Sequence, residues 1–310
     1  MSILESLWLG RLASKLFNVD GWACLITGGG TGIGLMCAQA LAANGARVYI
    51  TGRWFEVLEN AAKEHSPKEG NGKIIPFQTQ PTPHPLKNRP LRRHKDSLQS
   101  LVSKLSSLEK HLNLLVCNAG ISGPKADPSI SSSASKISQE LWSKESFSDW
   151  SSVFTINVSS VYFTTVALLH LLQACSHAHP EGHSHMAGNV IVISSMSGIM
   201  RHAQKHFSYS ASKGATVHLT KLMSTEFEKT GVRVNSIAPG YFPSEMTTGE
   251  SDEKNKSELS DEKVKGHGHK VPAERSGHDE EMAMAVLFLA RDRFSTIFHP
   301  LSYIPYTHPS

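Results

Sequence analysis

One run of the chain is suited to holding a phosphate: Thr27-Gly28-Gly29-Gly30-Thr31-Gly32-Ile33-Gly34, between a short apolar stretch and a helix-forming one. Glycines leave the backbone bare enough to approach a pyrophosphate. A helix starting there adds free N–H groups and the positive end of its dipole. The spacing of Gly28, Gly32 and Gly34 departs from the commonest dinucleotide fingerprint, so a flexible turn is the competing reading. A second candidate is the pair Tyr209 and Lys213, four residues apart and therefore on one face of a helix. A phenol with a pKa of about 10 is a poor acid/base at neutral pH, and a nearby cation lowers that pKa by favouring the phenolate. Ser195 ends the apolar run NVIVIS. Its hydroxyl could hydrogen-bond a substrate carbonyl, or it could simply cap the strand end.

Positioning these groups requires strands that alternate with helices. The sequence predicts strands at Trp22–Thr27, Arg47–Thr51, Lys73–Phe77, Asn113–Cys117, Asn189–Ile193 and Val232–Ala238, with Pro76 weakening the third. Helical spacing appears at Met36–Ala43, Phe55–Glu64, Leu98–Lys110, Trp150–Ala174, Tyr209–Glu228 and Glu280–Ala290. That alternation predicts one α/β domain: a doubly wound, Rossmann-type parallel sheet with ligands at the carboxyl ends of its strands. Leu222, Met223 and Phe227 read as core.

The chain has 310 residues, 31 Lys+Arg and 27 Asp+Glu, for a net charge of +4, and 39% of its residues are hydrophobic. This composition excludes wholesale disorder, and so small a charge argues against a nucleic-acid partner. The basic run Lys87–Arg93 lacks the aromatics that stack on bases. Cys24, Cys37, Cys117 and Cys175 sit among apolar neighbours and read as buried thiols of a reducing compartment. No secretory signal is legible, and Val161–Cys175 is too short to span a bilayer, which argues for a cytoplasmic protein. Leu4, Leu7, Trp8, Leu9, Leu12 and Leu16 could form an amphipathic N-terminal helix, for which docking on the protein itself is favoured over a membrane surface. The pairs His177/His179 and His183/His185 read as a solvated loop, as do His267 and His269; no metal site is expected.

Together these pieces resemble the classical short-chain dehydrogenase/reductase family from about Val19 to Ala290. Besides the glycine loop and Tyr209/Lys213, the matching stretches are Asn118-Ala119-Gly120, Asn157 in FTINV, ISSMSG around Ser195, and Pro239-Gly240. The resemblance implies hydride transfer between a nicotinamide cofactor and a small-molecule carbonyl or alcohol, in a homo-oligomer where the C-terminal region permits one. Tyr209 would be the general acid/base. Lys213 would lower its pKa and hold the nicotinamide ribose, Ser195 would orient the reacting oxygen, and Asn157 would hold a water linking Lys213 to solvent. Asn157 also reads as a helix-bending polar residue. Gly28, Thr31, Gly32, Ile33 and Gly34 would cradle the cofactor, Asn118, Ala119 and Gly120 would pack beside it, and Pro239, Gly240, Phe242 and Ser244 would line the nicotinamide. Cofactor choice falls after the second strand, where Gly52 replaces the acid that would bind a ribose 2′-OH and Arg53 follows. Arg accommodates a 2′-phosphate, which implies NADP(H), unless Arg53 is only a surface arginine at a helix start.

Several segments depart from the pattern. Residues 1–18 form an extension ahead of the 19–290 domain. Residues 79–94 carry four prolines and four Lys/Arg, and residues 291–310 carry three prolines and no glycine. The tail predicts a missing or altered seventh strand, and both segments suggest read-through or a frame change in the gene model. A catalytically impaired protein of the same fold is therefore the alternative expectation. Residues 244–277 read as a mobile substrate flap, with Trp142, Met200, His202 and Tyr241 as further pocket candidates.

Overall fold

Short apolar runs bounded by turn residues become six strands: β1 (Ala23–Thr27), β2 (Arg47–Thr51), β3 (Lys73–Pro76), β4 (Leu114–Cys117), β5 (Asn189–Ile193) and β6 (Arg233–Ile237). The computed structural model describes residues 17–78, 91–177, 188–265 and 273–291. It pairs the strands in parallel in the order β3-β2-β1-β4-β5-β6. The helices are α1 (Gly32–Ala43), α2 (Phe55–His65), α3 (Leu91–Leu108), α4 (Ala134–Lys144), α5 (Phe147–Phe154), α6 (Ser160–Ala174), α7 (Phe207–Glu226), α8 (Glu245–Thr248), α9 (Asp261–Lys265) and α10 (Asp279–Ala290).

Successive side chains of a strand face opposite ways, and here both directions meet helices. Ile26, Ile50, Val116 and Ile191 pack with Leu35 of α1 and Val286 of α10. Their neighbours Leu25, Leu115, Val190 and Val192 pack on the other side with Leu105 of α3 and Leu168 of α6. Burial on both faces explains why these strands read as continuous apolar runs. Pro76 is accommodated because β3 is an edge strand paired only with β2. The strand order reverses between β1 and β4, which opens a crevice at their carboxyl ends.

The structure corrects several expectations. The fourth-strand helix starts at Leu91 rather than near Leu98, because Leu-Arg-Arg-His are adequate helix formers once the prolines are past. Trp150–Ala174 is not one regular helix: a π turn at Thr155–Ser159 joins α5 to α6. From Phe147 to Ala174 the combined segment is long and apolar enough to cross a bilayer, so the shorter stretch judged from sequence understated it. Here Val161, Leu168 and Leu172 bury its inner side in the core. Helix α4 was not legible: it buries none of its residues, and its apolar positions Ala134, Ile137 and Leu141 stand among serines and charged residues. Trp142 on that helix is 84% exposed; Leu222 is also exposed, while Met223 is buried. The flap is less loose than its composition suggests: α8, α9 and a buried Asn255 order its described part.

Among the described residues the sheet has six strands, with β6 at an edge. The N-terminal leucines to Leu16, residues 79–90, the tail prolines Pro300, Pro305 and Pro309, and His179, His183, His185, His267 and His269 lie outside the described residues.

Candidate active site

The crevice between β1 and β4 is floored by the glycine loop. Gly28 (φ +67) and Gly32 (φ +51) hold left-handed backbone that L side chains rarely adopt. A Cβ at Gly34 would collide with the Gly28 carbonyl oxygen, and one at Gly32 would lie 2.8 Å from Ser244 Cβ. Thr31 stands at the N-cap of α1 without a side-chain cap bond, and the first turn carries no acidic residue. The N–H groups of Gly32, Ile33 and Gly34 thus face an approach with no competing carboxylate. A dinucleotide pyrophosphate fits this cradle.

Asn118 and Ala119 wall the crevice from β4. The Asn118 side chain donates to the Thr27 (3.1 Å) and Gly28 (2.8 Å) carbonyls. Thr27 Oγ1 accepts from the backbone N–H of Asn118 (3.0 Å) and Ala119 (3.1 Å). Gly120 follows, where a Cβ would meet Asn157 Oδ1 at 3.3 Å and Lys213 Nζ at 3.8 Å. Cys117, one residue before Asn118, is buried, and its Sγ lies 3.9 Å from Thr165 Oγ1. Burial raises the thiol pKa values of Cys24, Cys37 and Cys117, which makes them poor nucleophiles.

Helix α7 brings Tyr209 and Lys213 to the end of β5. The Ser195 hydroxyl stands close enough to the Tyr209 phenol to draw its pKa down. Ser195 Oγ also accepts from Ser197 N–H (3.1 Å), so Ser195 both caps the turn at Met196–Gly198 and meets the phenol. Lys213 Nζ lies 5.7 Å from the Tyr209 ring centroid and donates to the Ile193 carbonyl at 2.7 Å. Burial lowers the Lys213 pKa to about 8. Burial also raises the Tyr209 pKa, with the Ser195 hydroxyl opposing. Burial is the main influence on the phenol here, and the Ile193 carbonyl takes one of the three N–H donors of Lys213.

Asn157 lies in the π turn, fully inside the protein. Its Nδ2 donates to the Ile121 carbonyl (3.0 Å) and to Ser212 Oγ (2.9 Å), while its Oδ1 accepts from Ile121 N–H (2.9 Å). Both amide hydrogens are committed, so a water at the side chain is left only the remaining lone pair on Oδ1. Ser212 passes the bridge on by donating to the Tyr209 carbonyl (2.7 Å). Its role was not legible in YSASK, because a small polar residue one position before the lysine reads as a surface serine. Gly198 was missed as well: a Cβ there would strike the Lys213 backbone, so only glycine lets α7 approach.

The segment after β6 closes the far side. The Pro239 carbonyl accepts from Met196 N–H (3.0 Å), and Gly240 faces the Met196 sulfur. The Tyr241 hydroxyl accepts from Gln204 Nε2 (2.9 Å), whose Oε1 accepts from Ser197 Oγ (3.0 Å). Phe242 lies against Gly277, and Ser244 starts α8. Met200 is partly buried nearby in sequence, whereas His202 is exposed. Arg53 stands exposed just after β2 and forms no ion pair among the described residues, which leaves its guanidinium available to an anion. The described residues contain no group of three or more potential metal ligands.

The chain matches the family model for short chain dehydrogenase over residues 23–255. It is 40% identical over 283 residues to the short-chain dehydrogenase/reductase PhomF of Diaporthe leptostromiformis, covering 90% of this chain and 88% of that one. It is 30% identical over 274 residues to the rhamnolipids biosynthesis 3-oxoacyl-[acyl-carrier-protein] reductase of Pseudomonas aeruginosa, covering 88% and 91%. Among solved structures it is similar to the Pseudomonas aeruginosa RhlG/NADP active-site complex, with a TM-score of 0.67, 29% identity, and 90% and 92% of the two chains covered. The chain belongs to the short-chain dehydrogenase/reductase family of oxidoreductases.

Proposed function

We propose that this protein is an NADP(H)-dependent oxidoreductase that interconverts a small-molecule carbonyl and a secondary alcohol. The observation that carries the reading is the juxtaposition of two hydroxyls, Ser195 and Tyr209, at the end of β5 with the buried Lys213 ammonium 5.7 Å from the phenol ring. A nicotinamide cofactor with its pyrophosphate at Gly28–Gly34 would supply or accept the hydride. The remaining chemistry falls to side chains of the chain. In reduction, Ser195 donates a hydrogen bond to the carbonyl oxygen and Tyr209 releases its hydroxyl proton to that oxygen as negative charge develops there. In oxidation the proton moves the opposite way, from alcohol to Tyr209. A buried cation within 6 Å of the ring favours the transient phenolate electrostatically, the more so in a dry site. The NADP complex of the RhlG neighbour and the exposed Arg53 support the 2′-phosphate form of the cofactor.

Tyr209→Phe tests the reading, because it deletes only the acidic hydroxyl. NADPH affinity stays near wild type while turnover of a screened carbonyl substrate falls by a factor of about 100 or more, the scale of general acid catalysis. Turnover retained above about a tenth rejects Tyr209 as the acid/base. NADPH binding without turnover of any aldehyde, ketone or alcohol supports the catalytically impaired alternative.

A further inference from the structure

The polar stretch Glu250–Leu259 carries one buried amide, Asn255, at 7% exposure. Its backbone is left-handed (φ +61), a conformation that Asn tolerates better than other residues with a side chain. The loop is built to present it. Asp252 Oδ1 accepts from Lys254 N–H and Lys256 N–H, both at 2.8 Å, and the Asp252 carbonyl accepts from Asn255 N–H at 3.0 Å. The Asn255 Nδ2 group then donates to the Gly30 carbonyl (3.0 Å) and the Val57 carbonyl (2.8 Å), and Asn60 Nδ2 donates to Asn255 Oδ1 (2.9 Å).

Gly30 belongs to the glycine loop, and Val57 lies in the first turn of α2, just after Arg53. A Cβ at Gly30 would sit 3.1 Å from Val57 Cγ1, so these two segments already touch. We infer that Asn255 is a positioning residue for the cofactor: its amide ties the glycine loop to the Arg53 turn and so sets the distance between the pyrophosphate cradle and the 2′-phosphate contact. The flap leaves the glycine loop at Ser244 beside Gly32 and returns to it at Gly30 through Asn255. The inference rests on the NADP(H) reading above, since a ligand without a 2′-phosphate has no use for the second contact.

The test is dinucleotide binding to the full-length protein, followed by fluorescence and compared between NADPH and NADH. Asn255→Gly keeps the left-handed backbone and removes the amide. NADPH affinity falls about tenfold, the scale of a mispositioned phosphate contact, while NADH affinity falls less than about threefold. The preference for NADPH therefore shrinks, which general destabilisation does not produce. Equal losses for both cofactors, or no loss, overturn the inference. Should Asn255→Gly fail to fold, Asn60→Ala removes only the outer support and gives the same unequal pattern at smaller size; equal or absent losses there overturn it too. If wild type binds NADH as well as NADPH, the NADP(H) reading fails instead, and a uniform loss in Asn255→Gly then marks Asn255 as a glycine-loop support only.

Discussion

Asn157→Ala removes three hydrogen bonds from a side chain that is 1% exposed: two to Ile121 and one to Ser212. Each neutral bond contributes about 1 kcal/mol net, and the vacated volume adds to the loss, so the expected destabilisation is about 3–4 kcal/mol. Ser212→Ala takes away one acceptor for Asn157 and its own bond to the Tyr209 carbonyl, for about 1–2 kcal/mol. One bond is common to both losses. The double variant therefore falls short of the sum by about 1 kcal/mol, which a double-mutant cycle resolves. Urea unfolding followed by circular dichroism, with wild type and all three variants under one buffer, gives the four free energies. A cost below about 1 kcal/mol for Asn157→Ala, or strict additivity in the pair, would show that the amide does not bridge the β4 loop to α7.

Arg53→Ala is expected to weaken NADPH by about 1.5–3 kcal/mol, the range of a charge-assisted hydrogen bond, and NADH hardly at all; fluorescence titration measures both, and equal losses would sink the assignment. Lys213 has a folded pKa of about 8 against about 10.4 in an unfolded chain, so the unfolded state binds more protons between those values. Stability of the cofactor-free wild type relative to Lys213→Met therefore rises from pH 8 to pH 10, and the difference cancels the cysteine titrations common to both. Urea midpoints at the two pH values that differ by a constant amount would refute the burial of the ammonium.

Most of the sheet was legible because its physics is local. β2 and β5 begin and end where the sequence predicts, since strands buried on both faces must be apolar throughout and turn residues bound them. The site was legible in part for the same reason: glycines, Tyr209, Lys213 and Ser195 stand at strand ends or on one helix face. What escaped were features whose signal is weak in one dimension. The π turn holding Asn157 keeps nearly helical spacing, so an added residue in the turn leaves the apolar pattern unchanged. Asn255 hides in a charged stretch because most of its neighbours are polar and only Asn255 and Leu259 are buried. The only hint was Asp252 and Asn255, residue types that favour tight turns and left-handed backbone.

The departures of this chain fall away from the chemistry, which bears on whether it is impaired. The Ser195–Tyr209 pair and Lys213 are held by the carboxyl end of β5, a strand with neighbours on both sides. The glycine loop is clipped to β4 through Asn118 and Thr27, again at central strands. By contrast, residues 79–90 follow β3, an edge strand, and the last residues follow α10, whose Val286 packs with Leu35 behind the sheet. Altering an edge connection leaves the hydrogen bonds of β1, β4 and β5 in place, because each is made within the centre. The placement of Ser195, Tyr209 and Lys213 at the end of β5 rests on these central strands.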